Sequence, residues 1–483
     1  MRDMVLVLNF DDFAARAVTR KLRSERIFCK IVPGNIPLEA IQAQEPLGLL
    51  LAGGVTGRTP SGLDGRISSA GIPILALGDT AGLLLEALGG KVGEPVLQGA
   101  VMELSYQESP LLTDLENNER LLPCARDMQL PSWIKPICFA QETVVGFAHE
   151  TRPLYGMQFE VEQNDPEGSM MMRNFAFNIC GCTAWWDEDA FVSRATEEIS
   201  RLVGGGRAVC AMTGGLNSGL SAMLAYKALG DRLKCIFVDT GLLREREGDD
   251  FIAYYRDEVG MDITRVNAGD RFLDALKNVT RAEEKSRIIS ETIFSILREE
   301  EAKLGGFNAV IRGTSCSDVL FGKQPAAPAI GADALLIEPV RDLFKEEIRA
   351  IADFLGMPQE IISRQPFPGS GLALRILGEV TEDRLRTLRA ADAVFQSELV
   401  RSGAAKRLWQ YFAVLLPLPE NERKYAICLR AVHASERSQA YAARLPYDVM
   451  ENVVDLILRD LPQVGRIVYD LTPSANYSGV EWE

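Results

Sequence analysis

Ala208 to Met212, then Thr213-Gly214-Gly215-Leu216-Asn217-Ser218-Gly219, then Leu220 to Leu229 is the stretch on which the fold turns. An apolar run of strand length enters a loop of small residues, and a largely apolar segment of helical length leaves it. Glycines between a strand and a helix leave backbone N–H groups pointing into a concavity at the helix N-terminus, which suits an anion. Glycine pairs also make ordinary strand-to-helix turns, so a second feature is needed. Asp239-Thr240-Gly241 supplies it by ending the next apolar run, which begins at Cys235. It puts a carboxylate and a tight turn at the carboxyl edge of the same sheet, where open α/β sheets bind ligands.

The same alternation extends outward in both directions. Met4 to Phe10 reads as a strand, Phe13 to Glu25 as a helix, Leu47 to Leu51 as a strand ending in Gly53-Gly54, and Ile72 to Leu77 as another strand. Beyond the loop, Lys285 to Lys303 reads as a long helix and Ala309 to Ile311 as a buried strand. The pattern predicts an α/β protein with two parallel-sheet, Rossmann-like domains. At Arg364 the composition changes to a Pro/Gly cluster, Gln365-Pro366-Phe367-Pro368-Gly369-Ser370-Gly371. The β-rich runs Lys424 to Val432 and Arg466 to Leu471, mixed with helices, predict a smaller α+β domain after it.

Composition bounds what such a protein does. At roughly 100 to 200 residues per domain, 483 residues imply about three domains. Apolar residues at 47% and charged residues at 25% fit folded globular domains and exclude a disordered chain. A formal charge of −15 repels phosphate backbones, so nucleic acid is not an expected partner. No stretch reaches the roughly 18 apolar residues of a membrane span, and the N-terminal apolar run is too short for a signal segment. Nine scattered cysteines form neither a disulfide framework nor paired C-x-x-C motifs, so free thiols in the cytoplasm are expected. The histidines are His149 and His433 alone.

The loop 213–219 resembles the S-G-G-V-D-S pyrophosphate loop of the N-type ATP pyrophosphatases. Phe237 to Arg244, Ile337 to Lys345, Arg364 to Glu379, Leu445 to Asp448 and Val480 to Glu483 resemble the glutamine-hydrolysing GMP synthase family, across nearly the whole chain. The resemblance implies a class I glutamine amidotransferase domain over 1–183, an ATP pyrophosphatase domain over 184–363 and a dimerisation domain over 364–483. In that family ATP adenylates an oxygen of XMP, and ammonia delivered from the first domain displaces AMP to give GMP. It further implies ATP binding by Thr213, Gly214, Gly215, Leu216, Asn217, Ser218, Gly219, Asp239 and Gly313, with Mg2+ accompanying ATP and no covalent cofactor. Arg244, Lys345, Arg375 and Glu481 match positions that contact the acceptor nucleotide, and the C-terminal segment implies a homodimer.

Departures from the family pattern fall at chemical positions. A class I amidotransferase needs a thiolate, a histidine and a carboxylate. Gly78 stands at the nucleophile position, no cysteine lies between positions 29 and 124, Glu160 stands at the histidine position, and only Glu162 of the triad is retained. His149 lies several residues upstream and reads as a structural histidine. Gly53-Gly54 still resembles the oxyanion-stabilising loop. Asn217 replaces the loop aspartate, which removes a charge from an expected Mg·ATP site, and no metal-ligating set is assigned. Gly219 replaces a serine, which loosens the helix start. Arg312 replaces a glutamine, Lys323 to Pro328 replaces a polar segment, and Thr472 to Gly479 replaces a lysine and two prolines. Cys180-Gly181-Cys182 reads as packing at a domain junction.

The expectation is a GMP-synthase-like protein without glutaminase activity and impaired or inactive in GMP synthesis, serving as a nucleotide-binding or regulatory pseudoenzyme with an unidentified protein partner. The alternative is an ammonia-dependent ligase that uses ATP to aminate XMP or a related acceptor.

Overall fold

The computed structural model describes residues 3–161, 165–320, 334–365, 367, 369–418, 424–434 and 440–473. The chain divides into two compact units, Met1–Phe191 and Val192–Glu483. Among the described residues no helix is long and apolar enough to cross a membrane.

The first unit is built on nine strands: β1 (Val5–Asn9), β2 (Cys29–Pro33), β3 (Gly48–Ala52), β4 (Ile74–Leu77), β5 (Lys91–Tyr106), β6 (Asn118–Gln129), β7 (Ile134–Ala140), β8 (Thr143–His149) and β9 (Leu154–Met157). Their order is β2-β1-β3-β4-β9-β8-β7-β5-β6. The first five are parallel, as expected, and Val5 to Leu8 and Leu49 to Ala52 are buried on both faces. Strands β5 to β8 extend the sheet antiparallel, so it is mixed and not purely parallel. The reason lies in the connections: only Gln141 and Glu142 separate β7 from β8, which allows a hairpin but no crossover helix. Helix α1 (Asp12–Ser24) follows β1, and the Asp11 carboxylate caps it by accepting from the N–H groups of Phe13 and Ala14 at 3.0 and 2.9 Å. Helix α2 (Asp79–Ala87) follows β4. Ala52 pairs with Leu77, so the glycines after β3 and after β4 leave the sheet side by side at its carboxyl edge.

The second unit carries a wholly parallel sheet of β10 (Ala208–Met212), β11 (Leu233–Asp239), β12 (Ile263–Asn267), β13 (Ala309–Ile311) and β14 (Leu335–Ile337), in the order β12-β11-β10-β13-β14. The quoted loop leads from β10 into α3 (Leu216–Leu229). Further on lie α4 (Ala282–Glu301), α5 (Glu382–Arg401) and α6 (Tyr447–Asp460). In the C-terminal sheet β16 (Tyr425–Ala434) pairs antiparallel with β15 (Gln410–Pro417) and β17 (Ala440–Ala442), and parallel with β18 (Val464–Tyr469). One buried apolar cluster runs through the unit, from Val209 and Ile236 through Phe395 to Ile427 and Val453.

Lys285 of α4 is buried inside this unit. Its Nζ donates to the carbonyls of Ala373 (3.1 Å) and Ile376 (2.7 Å) and so ties down the 3-10 turn Gly371–Arg375. Burial, with the Arg384 charge in support, pushes the ammonium pKa down to about 8. A cation whose pKa falls on folding weakens the fold while it is charged. Below pH 8 that penalty is constant, and it is relieved as pH rises from 8 towards the unfolded value of 10.5. Relative to Lys285→Met, the wild type is therefore expected to gain stability between pH 7.5 and 10, by at most about 3 kcal/mol. Urea midpoints of both proteins at the two pH values check this, and parallel curves would contradict it.

Candidate functional sites

At the end of β4, Gly78 adopts φ +63° and ψ −137° and caps α2, keeping the sharp strand-to-helix elbow on which a nucleophile is normally raised. The space a side chain would occupy is taken. A Cβ built on Gly78 would lie 2.3 Å from the Gly53 carbonyl oxygen and 2.7 Å from that of Gly54. The backbone N–H after a nucleophile serves as an oxyanion donor in such elbows. Here that N–H belongs to Asp79 and donates to the Gly54 carbonyl at 2.8 Å.

Two carboxylates hold the loop in place. Glu160 accepts from the Val55 N–H at 2.7 Å. Asp79 accepts from the N–H and hydroxyl of Thr56 at 2.7 and 2.6 Å and from the Gly57 N–H at 3.2 Å. Arg120 steadies Glu160 by donating to its backbone carbonyl at 2.9 Å while it pairs with the buried Asp165 and covers the Phe159 ring. Glu162 lies outside the described residues.

His149 is far from this elbow. Ala148 pairs with Tyr155, near the start of β9, whereas Gly78 donates to the Met157 carbonyl at the end of β9. That leaves on the order of 10 Å of strand between them. The His149 Nδ1 accepts from the N–H groups of Thr151 and Arg152 at 3.2 Å each, and burial together with the Arg152 charge lowers its pKa. It is a turn-stabilising, neutral histidine. Cys124 lies behind the loop, with its Sγ 2.9 Å from where a Cβ of residue 57 would stand. Burial and the Asp79 charge raise its pKa, keeping it a thiol at neutral pH.

In the second unit the glycine-rich loop forms as expected. Gly214 takes φ +82° and Gly215 is the N-cap of α3. The Ser218 hydroxyl donates to the Gly215 carbonyl at 3.0 Å and accepts from the Thr213 N–H at 3.2 Å, which closes the loop on itself. Gly313 packs its Cα against the helix start: a Cβ there would lie 2.5 Å from the Ser218 nitrogen. Gly219 is not a point of looseness. A Cβ on it would meet the buried Tyr255 hydroxyl at 2.0 Å, so the aromatic ring occupies the space of a serine side chain. Asp239 is bound by Arg265, at 3.2 Å from Nε and 2.5 Å from Nη2, and accepts from the Gly241 N–H at 3.0 Å.

These residues do not build a resident Mg2+ site. The Asp239 carboxylate is neutralised by a guanidinium, Asn217 offers an amide where the resemblance implies a carboxylate, and no metal-binding group of three His, Cys, Asp or Glu forms among the described residues.

Beside the loop the structure gathers arginines. Arg364 donates to the Gly214 carbonyl at 3.4 Å and lies 4.0 Å from Glu247. Arg244 stacks on Phe367 at 4.3 Å and pairs with the buried Asp392 at 3.2 Å. Arg375 is fully buried between Phe412 (3.9 Å) and Phe367 (5.2 Å), and among the described residues none of its three guanidinium nitrogens has a hydrogen-bond partner. Burial, with Arg244 adding repulsion, lowers its pKa to about 9. Lys345 opens the helix Lys345–Phe354 and is half-buried, while Glu481 lies outside the described residues. Arg312 is absorbed structurally by Glu338, which accepts from its Nε at 2.8 Å and also binds Thr314 and Arg341. The segment Lys323 to Pro328 is outside the described residues, as is Ser474 to Gly479. Sequence reading passed over Asp79, Arg364 and Asp392. Arg364 opens a quoted motif and Asp79 directly follows Gly78, so their charge was a usable signal, whereas Asp392 lies on the unremarkable helix α5.

Known proteins resemble this chain over its whole length. The class-I glutamine amidotransferase model matches residues 6–179, and the GMP synthase C terminal domain model matches residues 397–482. The glutamine-hydrolyzing GMP synthase of Clostridium perfringens is 37% identical over 510 aligned positions that cover 100% of both chains. Those of Caldanaerobacter subterraneus and Symbiobacterium thermophilum are each 36% identical, covering 100% of this chain and 99% of theirs.

Proposed function

The chain belongs to the GMP synthase family, and from that premise we propose that its first unit does not hydrolyse glutamine while its second unit binds nucleotide as a binding or regulatory module impaired in GMP synthesis. The observation that carries the reading is the elbow. Gly78 offers no nucleophile, Glu160 is engaged as a hydrogen-bond acceptor where a proton carrier is needed, and the Asp79 N–H is already bonded within the protein. An acyl-enzyme needs all three functions. In the second unit the loop 213–219 keeps N–H groups at a helix start for phosphate, and Arg364 reaches the loop from the acceptor side. The reading includes a homodimer built on the C-terminal segment.

The buried, unpartnered Arg375 beside Arg244 favours a second reading, an ammonia-dependent ligase acting on XMP or a related anionic acceptor. In that reading the acceptor oxygen attacks ATP, pyrophosphate leaves, and ammonia then displaces AMP. Incubation with ATP, Mg2+, XMP and ammonium separates the two. The first reading expects at most trace AMP and pyrophosphate above a no-protein control, and sustained turnover establishes the second. Release of glutamate from glutamine by the purified wild type would overturn the assignment of the first unit.

A further inference from the structure

We infer that the amide pocket of the first unit is filled by the protein's own backbone, and that Asp79 and Glu160 are the latches that keep it filled. The inference rests on the reading that this unit does not hydrolyse glutamine, and it explains what the altered residues do instead.

The peptide planes of 53–57 carry the argument. An oxyanion loop must present N–H groups to the substrate oxygen. Here the N–H groups of Val55, Thr56 and Gly57 are all turned to carboxylates: Val55 to Glu160 at 2.7 Å, Thr56 and Gly57 to Asp79 at 2.7 and 3.2 Å. Turning the Val55 N–H towards Glu160 points the Gly54 carbonyl of the same peptide plane the opposite way, at residue 78, and the Gly53 carbonyl also faces that residue. The Gly54 carbonyl then accepts the Asp79 N–H at 2.8 Å, taking the place of a substrate's amide oxygen. Gly54 is confined between two carboxylates, since a Cβ on it would lie 3.2 Å from the Asp11 Oδ2 and 3.6 Å from the Glu160 Oε1. Arg120 completes the latch by fixing the Glu160 backbone. A neutral residue at position 79 or an imidazole at 160 cannot accept these N–H groups with the strength of a carboxylate. The pocket is thus closed by conformation as well as by the missing thiol, and restoring the thiol and imidazole alone does not reopen it.

The test compares two full-length proteins, Gly78→Cys/Glu160→His and the same pair with Asp79→Ala added. A diazoketone glutamine analogue alkylates glutaminase cysteines, and intact-mass spectrometry follows the adduct at position 78. Labelling at least about tenfold faster with Asp79→Ala is expected, from loss of charge-assisted hydrogen bonds to the loop. Equal rates, or no adduct in either protein, overturn the inference. Because a side chain at 78 strains the elbow, a second measurement keeps Gly78. Asp79→Ala/Glu160→Gln should loosen the loop so that trypsin cleaves after Arg58, which is already exposed, at least about tenfold faster than in wild type, and an unchanged cleavage rate overturns the inference as well. Neither result depends on wild-type glutaminase activity, which is tested separately by glutamate release.

Discussion

Replacing Arg375 with methionine is expected to lower the affinity for XMP by about 100-fold or more while leaving the unliganded protein at least as stable as the wild type. The two halves of this expectation come from one fact. Arg375 is 0% exposed, and its Nε, Nη1 and Nη2 find no hydrogen-bond partner among the described residues. An ionised group held away from water without a partner costs several kcal/mol, which is why burial lowers its pKa to about 9. The rings of Phe412 and Phe367 recover part of that through cation–π contact, and Asp392 and Glu247 recover part through longer-range attraction. A methionine fills similar volume, keeps the contact with the rings and removes the charge. The stability of the empty protein should therefore stay level or rise. If Arg375 is the acceptor contact that the family resemblance implies, an anionic acceptor gains charge-assisted hydrogen bonds from this guanidinium at about 1.5 to 3 kcal/mol each, and two are enough for the stated loss. Calorimetric titration with XMP and a urea melt of the same preparations measure both halves. A methionine variant destabilised by more than about 2 kcal/mol would show that the arginine belongs to the architecture and not to a ligand site.

Gly78→Ala is expected to destabilise the first unit by on the order of 4 kcal/mol. Two causes add. Gly78 sits at φ +63°, where a side chain strains the backbone by about 1 to 3 kcal/mol. Its Cβ would also be driven into two carbonyl oxygens at 2.3 and 2.7 Å, an overpacking of about 1 to 3 kcal/mol that backbone atoms relieve only by moving the loop. Gly99→Ala isolates the first cause, because Gly99 has φ +61° with nothing within 4 Å of the built Cβ. Scanning calorimetry of the full chain should show the first unit's transition lowered by roughly 10 °C for Gly78→Ala and by a few degrees for Gly99→Ala. Equal shifts in the two variants would mean that the Gly53 and Gly54 carbonyls yield freely, and that the pocket is open in solution.

Much of the fold was legible because its signals are local. The alternation of apolar runs with glycines gave β10, the loop and α3, and likewise β1, α1, β3 and β4, since burial on both faces of a parallel sheet leaves continuous hydrophobic stretches. The antiparallel strands β5 to β7 were not read, whereas a strand carrying His149 ahead of Tyr155 was. Residues 91–106 and 118–129 alternate between exposed and covered positions, and they carry too many polar side chains to stand out as buried runs. Gly219 was misjudged for a related reason. In the sequence it looks like freedom at a helix start, and only the fold brings Tyr255, on a different element, against it.

The sequence by itself determined which groups this protein possesses: no thiol at 78, no imidazole at 160, an amide in place of a carboxylate at 217, and arginines at 244, 364 and 375. It could not determine what those groups face. That the carbonyls of 53 and 54 close over residue 78, and that Arg375 lies sealed between Phe367 and Phe412, are outcomes of three-dimensional packing among segments distant along the chain. Chemical identity is fixed one residue at a time, whereas the direction of a peptide plane and the desolvation of a charge depend on everything packed around them.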